Sequence, residues 1–124
     1  MLILDTNAIL RYMLSDNIDM ATKVNELITN NRVMVRYEIV AEVVYVLEGV
    51  YSLSRDKIKD SISVFLSVPN VETESKSVLL LALETYVDKN IDFVDCLLYG
   101  FKVLQSYDVF TFDKKLNKLL NTMV

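Results

Sequence analysis

The chain contains no histidine and no tryptophan, one cysteine, one proline and two glycines. Without histidine there is no Ser-His-Asp or Cys-His triad, no imidazole zinc site and no imidazole general base. Any chemistry must therefore run on carboxylates, hydroxyls, amines or a bound cation. A single cysteine, Cys96, allows no intramolecular disulfide, which fits a reducing compartment; set in an apolar stretch, it reads as a small buried hydrophobe. So little glycine and proline removes collagenous, linker and low-complexity readings. No apolar run approaches the ~18 residues of a membrane span. The start, MLILDTNAIL, carries neither a basic leader nor a small-residue cleavage site. A cytoplasmic protein with no membrane association is expected.

What is present describes a well-packed globule. With 124 residues, 52% of them hydrophobic and 24% charged, one domain over residues 1–124 is expected, burying roughly two-thirds of its unfolded surface. The net charge of −4 argues against passive electrostatic capture of nucleic acid, which needs clustered Lys and Arg. A cation held by several carboxylates would change that balance locally.

Short apolar runs alternate with helical periodicity. Strands are expected at Leu2–Leu4, Val33–Tyr37, Val71–Thr73 and Val109–Phe112. Between them the 3.6-residue period predicts helices over about 8–14, 20–30, 38–51, 54–68, 75–87, 92–105 and 114–120. In the helix from Asp92 the inward stripe is expected to be Val94, Leu97, Phe101 and Leu104. Thr6 and Asn7 offer a turn and a cap, Ser54 and Asp113 are further caps, and Pro69 stops the fourth helix. Alternating strands and helices imply an α/β fold, a central parallel sheet between helical layers in a three-layer α/β/α arrangement.

Four acids stand in the most apolar company of the chain. Asp5 ends LILD, Glu42 interrupts IVAEVVYVL, Asp95 interrupts DFVDCLLYGF and Asp113 ends VFTFD. An isolated carboxylate taken out of water costs several kcal/mol or takes up a proton, so acids in such settings share a cation or a hydrogen-bond donor. In open parallel sheets, sites gather at the carboxyl ends of the strands. Asp5 and Asp113 are expected to end neighbouring strands there, with Glu42 and Asp95 near the same rim. Hard oxygen donors without thiolate or imidazole select Mg2+ or Mn2+, whose natural substrate is a phosphodiester. Each acid also has a plainer reading: Asp5, Asp92 and Asp113 as helix caps, Glu42 on a solvated stripe beside Glu38.

The segments LDTNAILRYML, VAEVVYVL, IDFVDCLLYG and VFTFDKKL resemble the four motifs of PIN-domain ribonucleases, in order and over essentially the whole chain. The compact size is similar to VapC-like toxins of toxin-antitoxin pairs. The resemblance implies that Asp5, Glu42, Asp95 and Asp113 are an acidic quartet holding Mg2+ or Mn2+. Asp92 lies on nearly the same helical face as Asp95 and competes for the third place. Asn7 and Thr111 would be polar supports; Arg11, Lys114 and Lys115 are candidate phosphate contacts by their nearness to the motifs. The implied activity is endonucleolytic cleavage of RNA, and the implied partners are an RNA substrate, a second copy of the chain in a homodimer, and a small antitoxin.

Two other classes share some of these features. A strand ending in Asp also opens the haloacid-dehalogenase-like phosphatases, but their second Asp is here Asn7. A PIN-like binding module without catalysis is the non-enzymatic alternative, against which the complete quartet argues.

Overall fold

The computed structural model describes residues 1–121. Their order is β1 Leu2–Ile3, α1 Thr6–Leu14, α2 Ile18–Asn30, β2 Val33–Met34, α3 Tyr37–Gly49, α4 Arg55–Leu66, β3 Val71–Glu72, α5 Lys76–Asp88, α6 Phe93–Gln105 and α7 Lys114–Asn121. Contacts divide the chain into two compact units, Met1–Glu74 and Ser75–Val124. No helix among the described residues is long and apolar enough to cross a membrane.

The first unit holds a parallel sheet in the order β1-β2-β3. Leu2 pairs with Val33 and Val33 with Val71. Val33, Val35 and Val71 are fully buried, each stabilising the fold by roughly 1.5–3 kcal/mol relative to exposure. Regular pairing is shorter than the apolar runs suggested. Tyr37 already belongs to α3, although the Val35 N–H still donates to the Glu72 carbonyl at 2.8 Å. β1 is an edge strand of this sheet, so Leu2 and Ile3 are exposed and only Leu4 turns into the core. α1, α2, α3 and α4 bury Ile9, Leu10, Ile28, Val44, Leu47, Ile58 and Ile62. Glycine being scarce, Ser15 takes the left-handed conformation that ends α1, with φ 50°.

The second unit is helical. α5 buries Val78, Leu79, Ala82, Leu83 and Tyr86, and α6 buries Phe93, Cys96, Leu97 and Gly100. The Tyr86 and Phe93 rings meet edge to face at 5.9 Å. Gly100 permits this close approach of α5 and α6, since a Cβ there would stand 3.3 Å from Val78 Cγ1 and 3.4 Å from the Val78 carbonyl oxygen. The buried stripe of α6 is thus Phe93, Cys96, Leu97 and Gly100, while Val94 and Leu104 are exposed. The expected stripe was rotated because periodicity alone favoured the larger side chains over a cysteine and a glycine.

The fourth strand expected at Val109–Phe112 does not form. Residues 106–113 are irregular. Alternate residues of an extended segment share a face, and here the Phe110 and Phe112 rings meet edge to face at 5.1 Å, 83% and 90% exposed. Apolar alternation gave the segment strand character, but it finds no ladder partner among the described residues. Asp5 and Asp113 therefore do not end neighbouring strands.

Candidate functional site

In the first unit, Asp5 is the N-cap of α1, and its Oδ1 accepts the Ala8 N–H at 2.9 Å. Its extended backbone, φ −86° and ψ 175°, aims the carboxylate at the amides of the first helical turn, where the helix dipole favours negative charge. The cap is Asp5 and not Asn7, and α1 starts at Thr6. Capping uses one carboxylate oxygen; Oδ2 has no partner among the described residues.

Glu42, on the sixth residue of α3, accepts a hydrogen bond at Oε2 from the Thr6 hydroxyl, 2.8 Å long. Glu42 is exposed, as is Glu38 one turn before it, whose carboxylate is held by Arg36 at 2.7 Å, so Glu42 lies on the solvated stripe as well as bonding Thr6. Thr6 thus ties the N-terminus of α1 to α3 and brings Glu42 to the residue beside Asp5. The signal for Thr6 was the hydroxyl inside DTN, which the cap reading alone left without a role. At the N-terminus of α3, Glu74 accepts the Tyr37 N–H at 3.0 Å.

Asp5, Asn7, Ala8 and Arg11 of α1 line an open recess of about 400 Å3 with Asp19, Met20, Lys23 and Val24 of α2. Arg11 does not offer its guanidinium freely. Nη1 is bound by both oxygens of Asp16, at 2.9 and 2.7 Å, and Nη2 by the Tyr51 hydroxyl at 3.0 Å. The Tyr51 hydroxyl foremost, with Asp16, raises its pKa above the ordinary value. A larger recess of about 720 Å3, between α1, α2 and α4, is lined by Tyr12, Met13, Ile18, Val64 and Phe65, with Thr22, Asn25 and Asp60 among its polar residues.

In the second unit, Asp113 repeats the arrangement of Asp5: its Oδ1 accepts the Leu116 N–H at 2.8 Å. Its own N–H donates to Thr111 Oγ1 at 3.0 Å, and the Thr111 carbonyl accepts from Asn117 Nδ2 at 2.8 Å. Thr111 therefore fixes the backbone that carries Asp113. Asp92 occupies the N-cap position of α6 but makes no side-chain cap bond, which corrects its reading as a plain cap. Asp95, half-buried in the first turn of α6, has its pKa raised by burial first, then by the charges of Asp113 and Asp92. Asp113 and Asp92 are thus near enough to Asp95 to disfavour its charge.

Within neither unit do three or more Asp, Glu or Cys side chains of the described residues form a ready-made cation cage. The donor chemistry nevertheless fits a hard divalent ion: the donors are carboxylate oxygens, and the one thiol, Cys96, is buried in the α6 core stripe.

A model of the PIN domain matches residues 2–119. The chain belongs to the PIN-domain family. No significant match is found among curated proteins or solved structures. PIN domains are in general nucleases, hydrolases acting on nucleic acid, and they typically use divalent metals. Membership agrees with the α/β class and the small parallel sheet of this PIN domain.

Proposed function

We propose that this PIN domain is a Mg2+- or Mn2+-dependent endoribonuclease, the toxin of a toxin-antitoxin pair. The observation that carries the catalytic part is the crowding at Asp95, where burial, Asp113 and Asp92 all oppose ionisation. Carboxylates held in mutual repulsion are relieved by a shared cation. Asp5, Glu42, Asp95 and Asp113 would hold that ion, with Asp92 as a further candidate; bound, it supplies a hydroxide from water at neutral pH and stabilises charge on the phosphorus.

The chain's own residues do the positioning. Capping fixes Asp5 and Asp113 through one oxygen each, leaving the second oxygen for a ligand. Thr6 fixes the rotamer of Glu42, and Thr111 steadies the approach to Asp113. Asn7 faces the same recess as Asp5 and can orient water or a phosphate oxygen.

The toxin reading rests on the likeness of the compact chain to VapC-like proteins, which also implies a homodimer. The apolar recess bordered by Ile18 and Val64, 76% and 68% exposed, supports a small antitoxin as partner. Its inhibition, in part charge pairing with the acids, should weaken as salt rises.

The test is cleavage of single-stranded RNA with and without Mn2+. The expected result is cutting that stops in excess chelator and in Asp5→Asn. Asn caps a helix as well as Asp does, so that variant keeps the fold and removes the charge. RNA cleavage undiminished in either condition would overturn the mechanism. Induction of the chain should arrest growth unless the antitoxin is co-expressed; growth unaffected by an active nuclease would remove the toxin role alone.

A further inference from the structure

An acidic chain that acts on a polyanion must hold the strand with local positive charge, and its arginines are committed elsewhere. Arg11 is paired with Asp16 at 2.7 Å, Arg32 with Glu72 at 2.6 Å, Arg36 with Glu38 at 2.7 Å and Arg55 with Glu48 at 3.6 Å. The chain's remaining cationic side chains are its lysines.

Three lysines line one recess of about 380 Å3 in the second unit: Lys89 beyond the end of α5, and Lys115 and Lys118 on α7. Positions three apart on a helix share a face, so Lys115 and Lys118 stand side by side, opposite the buried Leu116 and Leu120. Neither forms an ion pair with a described residue. Like charges so placed repel by a few tenths of a kcal/mol, a strain that an anion between them would remove. Among the described residues that line it Asp88 is the acid, so the three lysines outnumber the carboxylates there. Asn90 adds an amide donor, and Ile91 and Leu119 an apolar wall. The volume suits a phosphate with its sugar.

We propose that this recess is a phosphate subsite for the single-stranded RNA substrate, held by Lys89, Lys115 and Lys118. It rests on the nuclease reading above and adds to it a place where the strand is gripped outside the acids.

The experiment measures binding of a fluorescein-labelled single-stranded RNA by anisotropy across a salt series, in EDTA so that the strand stays intact. The protein carries either Lys115→Gln with Lys118→Gln, or, as control, Lys57→Gln with Lys59→Gln on α4. Gln and Lys have similar helix propensity, and both pairs remove the same charge. Each phosphate contact on a single strand adds about 0.7 to the slope of log affinity against log salt. The recess pair should flatten the slope by about 1.4 and weaken binding, and Lys89→Gln by a further 0.7, while the control pair leaves it unchanged. Equal changes in both pairs, or none in the recess pair of an RNA-binding wild type, would overturn the subsite and leave the nuclease intact. A wild type that neither binds nor cuts RNA would instead remove the nuclease reading, and the subsite with it.

Discussion

The acids of the two units are treated differently by their surroundings. In Met1–Glu74, Asp5 and Glu42 are each met by a donor, the Ala8 amide and the Thr6 hydroxyl. In Ser75–Val124, Asp113 is met by the Leu116 amide, but Asp95 is half-buried among its own kind and Asp92 lacks the cap bond that its position invites. A donor orients a carboxylate and lowers the cost of its charge, whereas crowding raises that cost. The first unit thus shows how such acids are aimed, and the second how crowding raises the cost of their charge.

The sharpest way to break the contrast is to remove ligand charge from both units. Asp5→Asn and Asp113→Asn keep both caps, so thermal stability should be close to wild type while RNA cleavage falls by more than about 100-fold, beyond the cost of losing an outer-shell partner. Loss in one unit and not the other would show that only that unit's acids serve the reaction. Next in size is Thr6→Val, which deletes the hydroxyl holding Glu42 and keeps the shape. Single-turnover cleavage should drop about 10–100-fold, with a stability change near 1 kcal/mol or less, the net worth of a typical hydrogen bond. An unchanged rate would mean that Thr6 serves only the α1–α3 packing.

Capping separates the acids more finely. Asp5→Ala and Asp113→Ala each remove a side-chain bond to a helix amide and should cost about 1 kcal/mol in urea unfolding. Asp92→Ala removes none and should stay within about 0.5 kcal/mol. A loss at Asp92 as large as at Asp5 would restore it as a cap.

Helix positions, the Ser54 and Asp113 caps and the parallel pairing of the first three apolar runs were legible because local rules decide them: periodicity, capping chemistry and β-branched runs. The Lys57 N–H is indeed capped by Ser54 at 3.3 Å. The Val109–Phe112 run misled because alternation shows that a segment can be a strand, and pairing is a tertiary fact. The partners of the acids were hidden for the same reason. Thr6 meets Glu42 across 36 residues, Glu74 meets the start of α3 across 37, and Arg11 is held by Tyr51 across 40. No spacing rule reaches that far, which is why Arg11 read as a phosphate contact and Thr6 as part of a turn and cap.

The smallest expected effect tests the crowding itself. Burial, Asp113 and Asp92 raise the Asp95 pKa above the ordinary value of 3.8. A carboxyl with a raised folded pKa makes the native state the tighter proton binder, so stability falls as pH climbs from the ordinary value through the folded one, and returns on acidification. Asp95→Asn removes the ionisable group. In metal-free buffer the variant should therefore be the more stable chain at pH 7, by a fraction of a kcal/mol to about 1 kcal/mol. The gap should close as pH drops below the ordinary Asp value, because the wild-type carboxyl is then neutral in both states. Mn2+ should reverse the ranking at pH 7: a ligand at about 100 times its dissociation constant adds about 2.7 kcal/mol, and the variant, short of one donor, gains less. Thermal midpoints of both chains, taken across pH and then with Mn2+, make the check. A stability gap that ignores pH, or a Mn2+ shift equal in the two proteins, would mean that Asp95 is buried for packing and that the ion, if bound, is held without it.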